Sequence, residues 1–356
     1  MKLQPPYEAN VASGAQHDDF MRVAIGEAQK AIGQTSPNPA VGAVLVRNGQ
    51  IVGRGHHRGA GKPHAEIECL RAFRAAVPEG STLYVTLEPC STFGRTPPCT
   101  DALIERRVKH VVVGALDVNP AHAGGGLELL RDAGVTVESG ILADECTSLN
   151  EAFNKWIQHK RPLVIAKCGM TLDGRLTRLT GEDRWITSAA SRAHANGFRA
   201  QVDAILVGAE TLRTDDPQLT VRGVKGARQP WRVVLTRSGR LPKAARVFRD
   251  RFADRTLVFH DQPLEAVLDS LGERAITSVV IEGGGDVLGQ ALDRRLIDKV
   301  RIYIAPRLGG GPVFAFAGEG AAASHTALRL RDISYARIAG DVFVTGNASY
   351  APAPGE

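Results

Sequence analysis

The stretch Glu88-Pro-Cys-Ser-Thr-Phe-Gly-Arg-Thr-Pro-Pro-Cys99 follows an apolar run at 82–87 and leads into a helical pattern at 100–107. Cys90 therefore lies where a predicted strand ends. Cys99 opens a predicted helix, where the helix dipole and free amides favour the thiolate form. Strands that alternate with helices in this way predict an α/β fold.

A second stretch, Pro63-His-Ala-Glu66, opens another predicted helix at 64–74. His64, Cys90 and Cys99 are ligands of types that zinc accepts, and three of them leave one tetrahedral position open, as catalytic sites require. A water in that position loses a proton near pH ~7. Glu66, which is not needed as a ligand, would carry that proton to a departing amine. This set predicts a zinc-dependent hydrolytic deaminase.

Two other interpretations of these residues stay open. Two cysteines nine positions apart can be small buried packing residues. A structural zinc site would need a fourth protein ligand, for which His56 or His57 is available. The joint occurrence of the glutamate, the Pro-Cys pair and the strand-helix context favours the catalytic site.

The bulk properties indicate an ordinary soluble protein of two domains. The chain has 356 residues, 43% of them hydrophobic and 23% charged. It lacks an apolar run of the ~18–20 residues that a membrane span needs, and the polar segment 1–16 is expected to be a flexible tail rather than a signal peptide. Five cysteines argue against a disulfide framework and for the cytoplasm, with Cys69, Cys146 and Cys168 as packing residues.

The positive charge does not predict a nucleic-acid partner. The net charge is +6, but no run of five or six like charges occurs and only 5% of residues are aromatic. A modest positive balance suits small phosphorylated substrates and a phosphorylated cofactor equally well. We therefore predict a phosphorylated small-molecule substrate, no nucleic acid and no membrane.

The pattern of elements restarts near His159-Lys-Arg-Pro162, which predicts two domains, 1–158 and 159–356. Asn48-Gly49 predicts a type I′ hairpin. In the first domain we predict strands at 41–47, 51–55, 82–87, 110–115 and 135–138, and helices at 18–32, 64–74, 100–107, 125–133 and 143–158. In the second we predict strands at 163–167, 204–207, 232–235, 256–259, 278–281 and 300–304, helices at 188–201, 263–271 and 285–295, and a hairpin at 326–347.

Glu282-Gly-Gly-Gly-Asp286 follows a predicted strand and opens a predicted helix. Free amides with no Cβ in the way make a phosphate cradle, although a glycine-rich turn alone is most often only a turn. It is not the G-x-G-x-x-G pattern, so a standard dinucleotide fold does not follow. The polar segments 171–175, 185–188 and 211–222 are predicted loops whose spacing against strand ends indicates a pocket.

Taken together, these motifs resemble the RibD family of bifunctional riboflavin-biosynthesis proteins, a pyrimidine deaminase fused to a reductase. The eight residues between Cys90 and Cys99 are diagnostic, since nucleic-acid deaminases usually show Pro-Cys-x-x-Cys. The resemblance covers roughly 18–310. The motifs that carry it are Ser36-Pro-Asn-Pro-Ala-Val-Gly42, Pro63-His-Ala-Glu66, 88–99, Thr171-Leu-Asp-Gly-Arg175, Trp185-Ile-Thr-Ser188, Asp215-Asp-Pro-Gln-Leu-Thr-Val-Arg222 and Glu282-Gly-Gly-Gly285.

The resemblance implies a fold and two consecutive reactions. A cytidine-deaminase-like three-layer α/β/α domain would convert an amino group of 2,5-diamino-6-ribosylamino-4(3H)-pyrimidinone 5′-phosphate to a carbonyl. A dihydrofolate-reductase-like α/β domain would then use NADPH to reduce the ribosyl group to ribityl. It also favours a homodimer or larger homo-oligomer.

The resemblance implies residue roles as well. His64, Cys90 and Cys99 would hold one zinc per chain, with Glu66 as proton shuttle. Either Lys167 or Asp215 would donate the proton in the reductase. NADPH contacts would fall at Met170, Trp185, Thr211, Asp215, Arg237, Gly284, Gly285, Asp286, Val287, Leu288, Gly289 and Gln290. Substrate contacts would fall at Asn38, Asp183, Arg199, Leu219, Arg222 and Glu282.

The chain departs from the family at two places. The family usually has histidine after the serine of Glu-Pro-Cys-Ser, where this chain has Thr92, so a polar substrate contact is expected to be weakened or moved. The family also tends to carry aspartate and a small hydroxyl residue where Thr236-Arg237 stand. We hypothesise that Arg237 pairs with the 2′-phosphate of the cofactor.

Three rival functions are compatible with the sequence. The first is a nucleic-acid or nucleoside deaminase with an unrelated appendage. The second is a non-catalytic nucleotide-binding or scaffolding protein with a structural zinc. The third is a family member in which only one domain is active.

Overall fold

Two β-sheets organise the chain, one in each half of the sequence. The computed structural model describes residues 14–73, 75–120, 122–176, 185–321 and 326–351. The chain divides into two units, Met1–Gln158 and His159–Glu356. Within the described ranges, no helix combines the length and the apolar character needed to cross a membrane.

The first unit contains a five-stranded sheet in the order β2-β1-β3-β4-β5. Its first two strands are antiparallel and are joined by Asn48 and Gly49, whose φ angles are 50° and 73°. Positive φ at both positions is what a type I′ turn requires, so the predicted hairpin is confirmed. The elements are α1 (Gly14–Gln29), β1 (Gly42–Arg47), β2 (Gln50–His56), α2 (Ala65–Cys69), β3 (Ser81–Leu87), α3 (Cys99–Glu105), β4 (His110–Ala115), α4 (Gly125–Asp132), β5 (Thr136–Ser139), α5 (Ala143–Ser148) and α6 (Glu151–His159).

Side chains that alternate between the two faces of this sheet contribute to two separate hydrophobic clusters. Ala43 and Leu45 of β1 join a buried cluster with residues of α2, α3 and α4. Val44 and Val46 join a second cluster with Met21 of α1 and Cys146 of α5. Successive side chains of a strand point to opposite faces, so helices cover both faces. The first unit is therefore the expected three-layer α/β/α fold.

Two predicted helices of the first unit are shorter than the sequence indicated. The helix predicted at 64–74 ends at Cys69, where it packs so closely on β2 that a Cβ at Gly55 would lie 2.3 Å from the Cys69 nitrogen. The helix predicted at 143–158 is interrupted at Asn150. The Asn150 amide accepts from Ala40 N–H (2.7 Å) and donates to Ala40 C=O (3.0 Å), which anchors the break.

The second unit contains an eight-stranded sheet in the order β12-β13-β11-β6-β10-β7-β8-β9. The six strands from β11 to β9 in this order run parallel, and β13 and β12 add an antiparallel edge. The elements are β6 (Leu163–Thr171), α7 (Ala189–Phe198), β7 (Ala204–Gly208), α8 (Ala209–Asp215), β8 (Trp231–Thr236), β9 (Thr256–His260), α9 (Leu264–Glu273), β10 (Ser278–Glu282), α10 (Gly285–Asp293), β11 (Lys299–Ala305), β12 (Arg329–Ile338) and β13 (Asp341–Ser349).

All six predicted strands, the three predicted helices and the C-terminal hairpin of this unit are confirmed in place. The prediction that 211–217 is a loop was wrong, because α8 covers most of it. Ala209 and Leu212 are buried, but the remaining positions are mostly polar. Such a short one-sided helix shows too little hydrophobic periodicity to be recognised from sequence.

Candidate functional site

Three metal-ligating side chains meet at the end of the first sheet. The ligand atoms of His64, Cys90 and Cys99 all lie within 4.8 Å of one another. The His64 Nδ1 atom is 3.5 Å from Cys90 Sγ and 3.3 Å from Cys99 Sγ. Two ligands of a tetrahedral zinc, one nitrogen and one sulfur, are separated by about 3.6 Å given typical bond lengths. The three residues therefore fit the metal in both chemistry and spacing.

Each ligand is fixed by the end of a secondary-structure element. His64 is the residue before α2, Cys90 follows β3, and Cys99 is the first residue of α3. The Cys99 N–H donates to Cys90 Sγ at 3.3 Å. The pKa of Cys90 is lowered to about 4, chiefly by the hydrogen bond from the Cys99 thiol, and the pKa of Cys99 is raised because it keeps the shared proton. One sulfur is thus prepared as a thiolate.

Glu66 lies in the first turn of α2 and is only 3% exposed. Burial raises the pKa of its carboxyl group. It lines, with His64 and Cys90, a cavity of about 340 Å³. A buried carboxyl group beside a metal centre and facing a cavity has the position that a proton shuttle needs.

The two histidines considered as a fourth ligand have other partners. The His57 Nδ1 atom is 3.1 Å from Pro63 C=O and its Nε2 atom is 3.2 Å from the Asn38 amide nitrogen. The His56 Nδ1 atom lies 3.4 Å from Glu27. Among the described residues the ligand cluster therefore has three members, which favours an open, catalytic coordination.

Asn38, a predicted substrate contact, lines this cavity together with His57. Burial lowers the pKa of His57, so its ring is neutral near pH 7. A neutral ring that donates from Nδ1 to Pro63 C=O must accept at Nε2, from the Asn38 amide N–H. Because the amide nitrogen of Asn38 is used in this hydrogen bond, its amide oxygen can accept a hydrogen bond from another group.

The segment after β4 also lines this cavity, although the sequence analysis did not predict a role for it. Asp117, Asn119 and His122 line the cavity there. The Glu88 carboxylate holds this segment by accepting from backbone N–H groups of Asp117 (3.2 Å), Gly124 (3.0 Å) and Gly126 (3.0 Å). This segment follows the carboxyl end of a parallel strand, where ligands commonly bind, and that position is the sequence feature that could have predicted its role.

The second unit has its own cavity, of about 710 Å³. It lies at the carboxyl ends of β6, β7, β8 and β10 and at the start of α10. Most predicted reductase residues line it. They are Lys167, Trp185, Thr211, Asp215, Arg237, Glu282, Gly284, Gly285, Asp286, Val287 and Gln290.

Other predicted reductase contacts lie elsewhere among the described residues. Leu288 is buried in the core, and Gly289 packs against the backbone of Ala317. Met170 packs against the same core, and Leu219 is buried with φ of 52°. Arg222, like these four, is not a lining residue of the cavity. Asp183 lies outside the described residues.

The glycine-rich turn before α10 has the geometry of a phosphate cradle. Gly283 and Gly284 have φ angles of 102° and 76°, which L side chains rarely adopt. A Cβ at Gly284 would lie 3.3 Å from Thr211 Oγ1, inside the cavity wall. Helix α10 then presents its N-terminal amides to the cavity, where a phosphate group of a nucleotide cofactor fits.

Glu282 and Arg199, both predicted substrate contacts, form an internal ion pair. Two Arg199 nitrogens reach the two Glu282 oxygens at 2.8 Å and 2.7 Å, and a third reaches Thr220 C=O at 3.1 Å. Lys167 Nζ lies 3.7 Å from the same carboxylate. Opposite charges hold the pKa of the buried Glu282 at about 2. The guanidinium fork of Arg199 is thus largely occupied within the protein.

Comparison with protein families gives two matches. The RibD C-terminal domain matches residues 162–344. The zinc-binding region of cytidine and deoxycytidylate deaminases matches residues 15–115. The second match contains all three metal-ligating residues and Glu66, and the first contains the lining of the larger cavity.

Two relatives match this chain along most of their own length. The riboflavin biosynthesis protein RibD of Aquifex aeolicus is 42% identical over 313 residues, 82% of this chain and 87% of that protein. The Escherichia coli protein of the same name is 38% identical over 327 residues, 83% of this chain and 89% of that protein.

Two solved structures resemble the whole chain. RibD of Acinetobacter baumannii has a TM-score of 0.85 at 35% identity, covering 95% of this chain and 100% of that one. A diaminohydroxyphosphoribosylaminopyrimidine deaminase/5-amino-6-(5-phosphoribosylamino)uracil reductase of Thermotoga maritima has a TM-score of 0.85 at 34% identity, covering 94% of this chain and 99% of that one.

Proposed function

The chain belongs to the RibD family, and on that premise we propose how its own residues perform the two reactions of a bifunctional riboflavin-biosynthesis enzyme. The first reaction is the zinc-dependent hydrolytic deamination of 2,5-diamino-6-ribosylamino-4(3H)-pyrimidinone 5′-phosphate. The second is the NADPH-dependent reduction of the ribosyl side chain to ribityl. The observation that carries the proposal is the His64, Cys90 and Cys99 cluster, with buried Glu66 facing the same cavity.

In the deaminase domain, residues 1–158, the protein residues orient the substrate and move the proton. Zinc, when held by His64, Cys90 and Cys99, supplies the Lewis acidity that makes a water nucleophilic near neutral pH. The buried Glu66 carboxyl group would carry the proton that the departing amine needs. Asn38 directs its amide oxygen toward the substrate from a position fixed by His57.

In the reductase domain, residues 159–356, NADPH supplies the hydride. The turn at Gly283 and Gly284 would hold a phosphate group of the cofactor. Lys167 and Asp215 line the same cavity, and one of them delivers the proton that accompanies hydride transfer. The Glu282 carboxylate lies 3.7 Å from Lys167 Nζ and holds the ammonium group in place.

We further propose that the enzyme acts in the cytoplasm as a homodimer or larger homo-oligomer on small phosphorylated pyrimidines. The five cysteines are free thiols, which supports a reducing compartment. The family resemblance supports the oligomer.

Product masses test the proposed function. Purified protein is incubated with the diaminopyrimidinone phosphate, first without and then with NADPH. Without NADPH we expect replacement of an NH group by oxygen, and with NADPH the further gain of two hydrogens. An unchanged substrate mass in both incubations would contradict the proposal. If only one of the two mass changes is found, only one domain is active.

A further inference from the structure

Thr92 and His122 form a pair in the deaminase cavity that departs from the family pattern. Thr92 stands where the resemblance to the family implies a histidine. In the structure, Thr92 Oγ1 lies 3.1 Å from His122 Nδ1, and both residues line the cavity that contains the metal cluster. An imidazole therefore reaches this part of the cavity from the segment after β4 rather than from the segment after Cys90.

The backbone of His122 is anchored by hydrogen bonds of the segment after β4. His122 N–H donates to Asn119 C=O at 2.9 Å, and Asn119 N–H donates to the Asp117 carboxylate at 2.9 Å. The same segment is tied to Glu88 by three backbone hydrogen bonds. With its backbone anchored in this way and its Nδ1 atom in contact with Thr92, the His122 side chain is preorganised for binding, so little rotamer entropy is lost when a ligand arrives.

The pair lies toward the mouth of the cavity. Thr92 and the neighbouring Arg95 are exposed and His122 is half-buried, whereas Glu66, which lines the same cavity, is buried and marks its closed end. The reacting ring carbon must reach the metal at that closed end. The phosphate at the far end of the ribose then extends to the mouth, where Arg95 also lines the wall.

We propose that His122 is a specificity-determining residue of the deaminase that binds the 5′-phosphate of the substrate, with Thr92 as its positioning residue. This inference rests on the proposed function of the domain. Thr92 engages Nδ1, so Nε2 is the nitrogen through which the ring binds a ligand. An imidazole is thus present beside position 92, supplied by the segment after β4.

Steady-state kinetics of deamination test the assignment. For His122→Val we expect the KM of the phosphorylated substrate to rise about tenfold, as for one lost hydrogen bond to a charged group, with kcat within about twofold. The inhibition constant of the dephosphorylated nucleoside, used as a competitive inhibitor, should stay unchanged. Thr92→Val should raise the same KM by a smaller factor. The double variant Thr92→His/His122→Val should recover a KM near that of the wild type.

Controls separate this inference from the proposed function. Thr136→Val, at an exposed threonine outside the cavity, should behave as the wild type, and zinc content should be equal in all variants. Any one of three results would overturn the assignment. The KM of His122→Val could equal that of the wild type, the inhibition constant of the nucleoside could rise as much as the KM, or the KM of the double variant could be no lower than that of His122→Val. A wild-type protein that does not deaminate the phosphate ester would instead overturn the proposed function.

Discussion

Glu282 is a carboxylate that is buried between two cations, and its protonation is coupled to folding. Arg199 and Lys167 favour the charged form and hold the pKa of Glu282 at about 2, although burial alone would raise it. The unfolded chain has the ordinary value of 4.5. Because the folded-state pKa is depressed, the stabilisation is fully present above about pH 4.5 and is lost as the pH falls toward about 2.

This linkage gives a prediction for Glu282→Gln. Between roughly pH 5 and pH 3, the free energy of unfolding of the wild type should fall more steeply than that of the variant, with a difference that reaches about 2 kcal/mol. Denaturant titrations of both proteins at several pH values measure the two slopes. Parallel slopes would show that the carboxylate is not held by the two cations.

Arg237 is expected to recognise the 2′-phosphate of NADPH. Its side chain is 85% exposed at the wall of the larger cavity, 3.9 Å from Asp286 in the first turn of α10. Arg237→Ala should narrow the preference for NADPH over NADH by about tenfold, since a charge-assisted contact is lost. The ratio of kcat/KM with NADPH to kcat/KM with NADH measures this preference. Arg240→Ala, at an exposed arginine outside the cavity lining, is the matched control, and an unchanged ratio in Arg237→Ala would reject the hypothesis.

At the scale of elements, the position of α10 depends on two close backbone contacts. A Cβ at Gly289 would lie 1.8 Å from Ala317 C=O, and one at Gly285 would lie 2.0 Å from Phe314 C=O. Only glycine allows this helix to approach the 314–317 segment so closely. The turn at Gly283 and Gly284, proposed to hold a phosphate group of the cofactor, directly precedes α10, so the helix position fixes the turn.

Gly289→Ala should therefore destabilise the reductase domain by about 1–3 kcal/mol and raise the KM for NADPH, because the helix must shift. Gly197→Ala is the matched control: Gly197 lies in α7 and its added Cβ would meet nothing within 4 Å. That change should be neutral or stabilising by about 1 kcal/mol. Thermal melts and cofactor titrations compare the two, and equal behaviour would contradict the packing argument.

The elements that sequence predicted well have strong local signals. The hairpin at Asn48-Gly49 and the apolar strands of both sheets follow from turn chemistry and burial. At the end of α2, Cys69 packs closely against Gly55 of β2, and at the break between α5 and α6 the Asn150 side chain is hydrogen-bonded to Ala40. These are tertiary contacts that no local pattern contains.

The same division applies to the candidate sites. His64, Cys90 and Cys99 stand out in the sequence because their chemistry and positions at element ends are local features. The wall formed by Asp117 and His122 comes from a segment without a motif, brought in by the backbone contacts of Glu88. For the reductase, most of the residues that the resemblance indicated line the cavity, but the resemblance did not indicate the ion pair that occupies Arg199.

At the scale of the whole molecule, the two reactions are assigned to separate units with separate cavities. A change in one cavity should therefore leave the chemistry of the other intact. Glu66→Gln is the most informative change because it removes the proton shuttle and retains all three metal ligands. The reductase reaction, started from the deaminated substrate, serves as the internal control for folding.

The most direct test is to measure zinc content and both activities in the wild type and in Glu66→Gln side by side. We predict one zinc per chain in both proteins, deamination reduced by a factor of at least about 10²–10⁴ in the variant, and equal rates of NADPH-dependent reduction. A wild-type protein without zinc, or a variant that deaminates as fast as the wild type, would contradict the account.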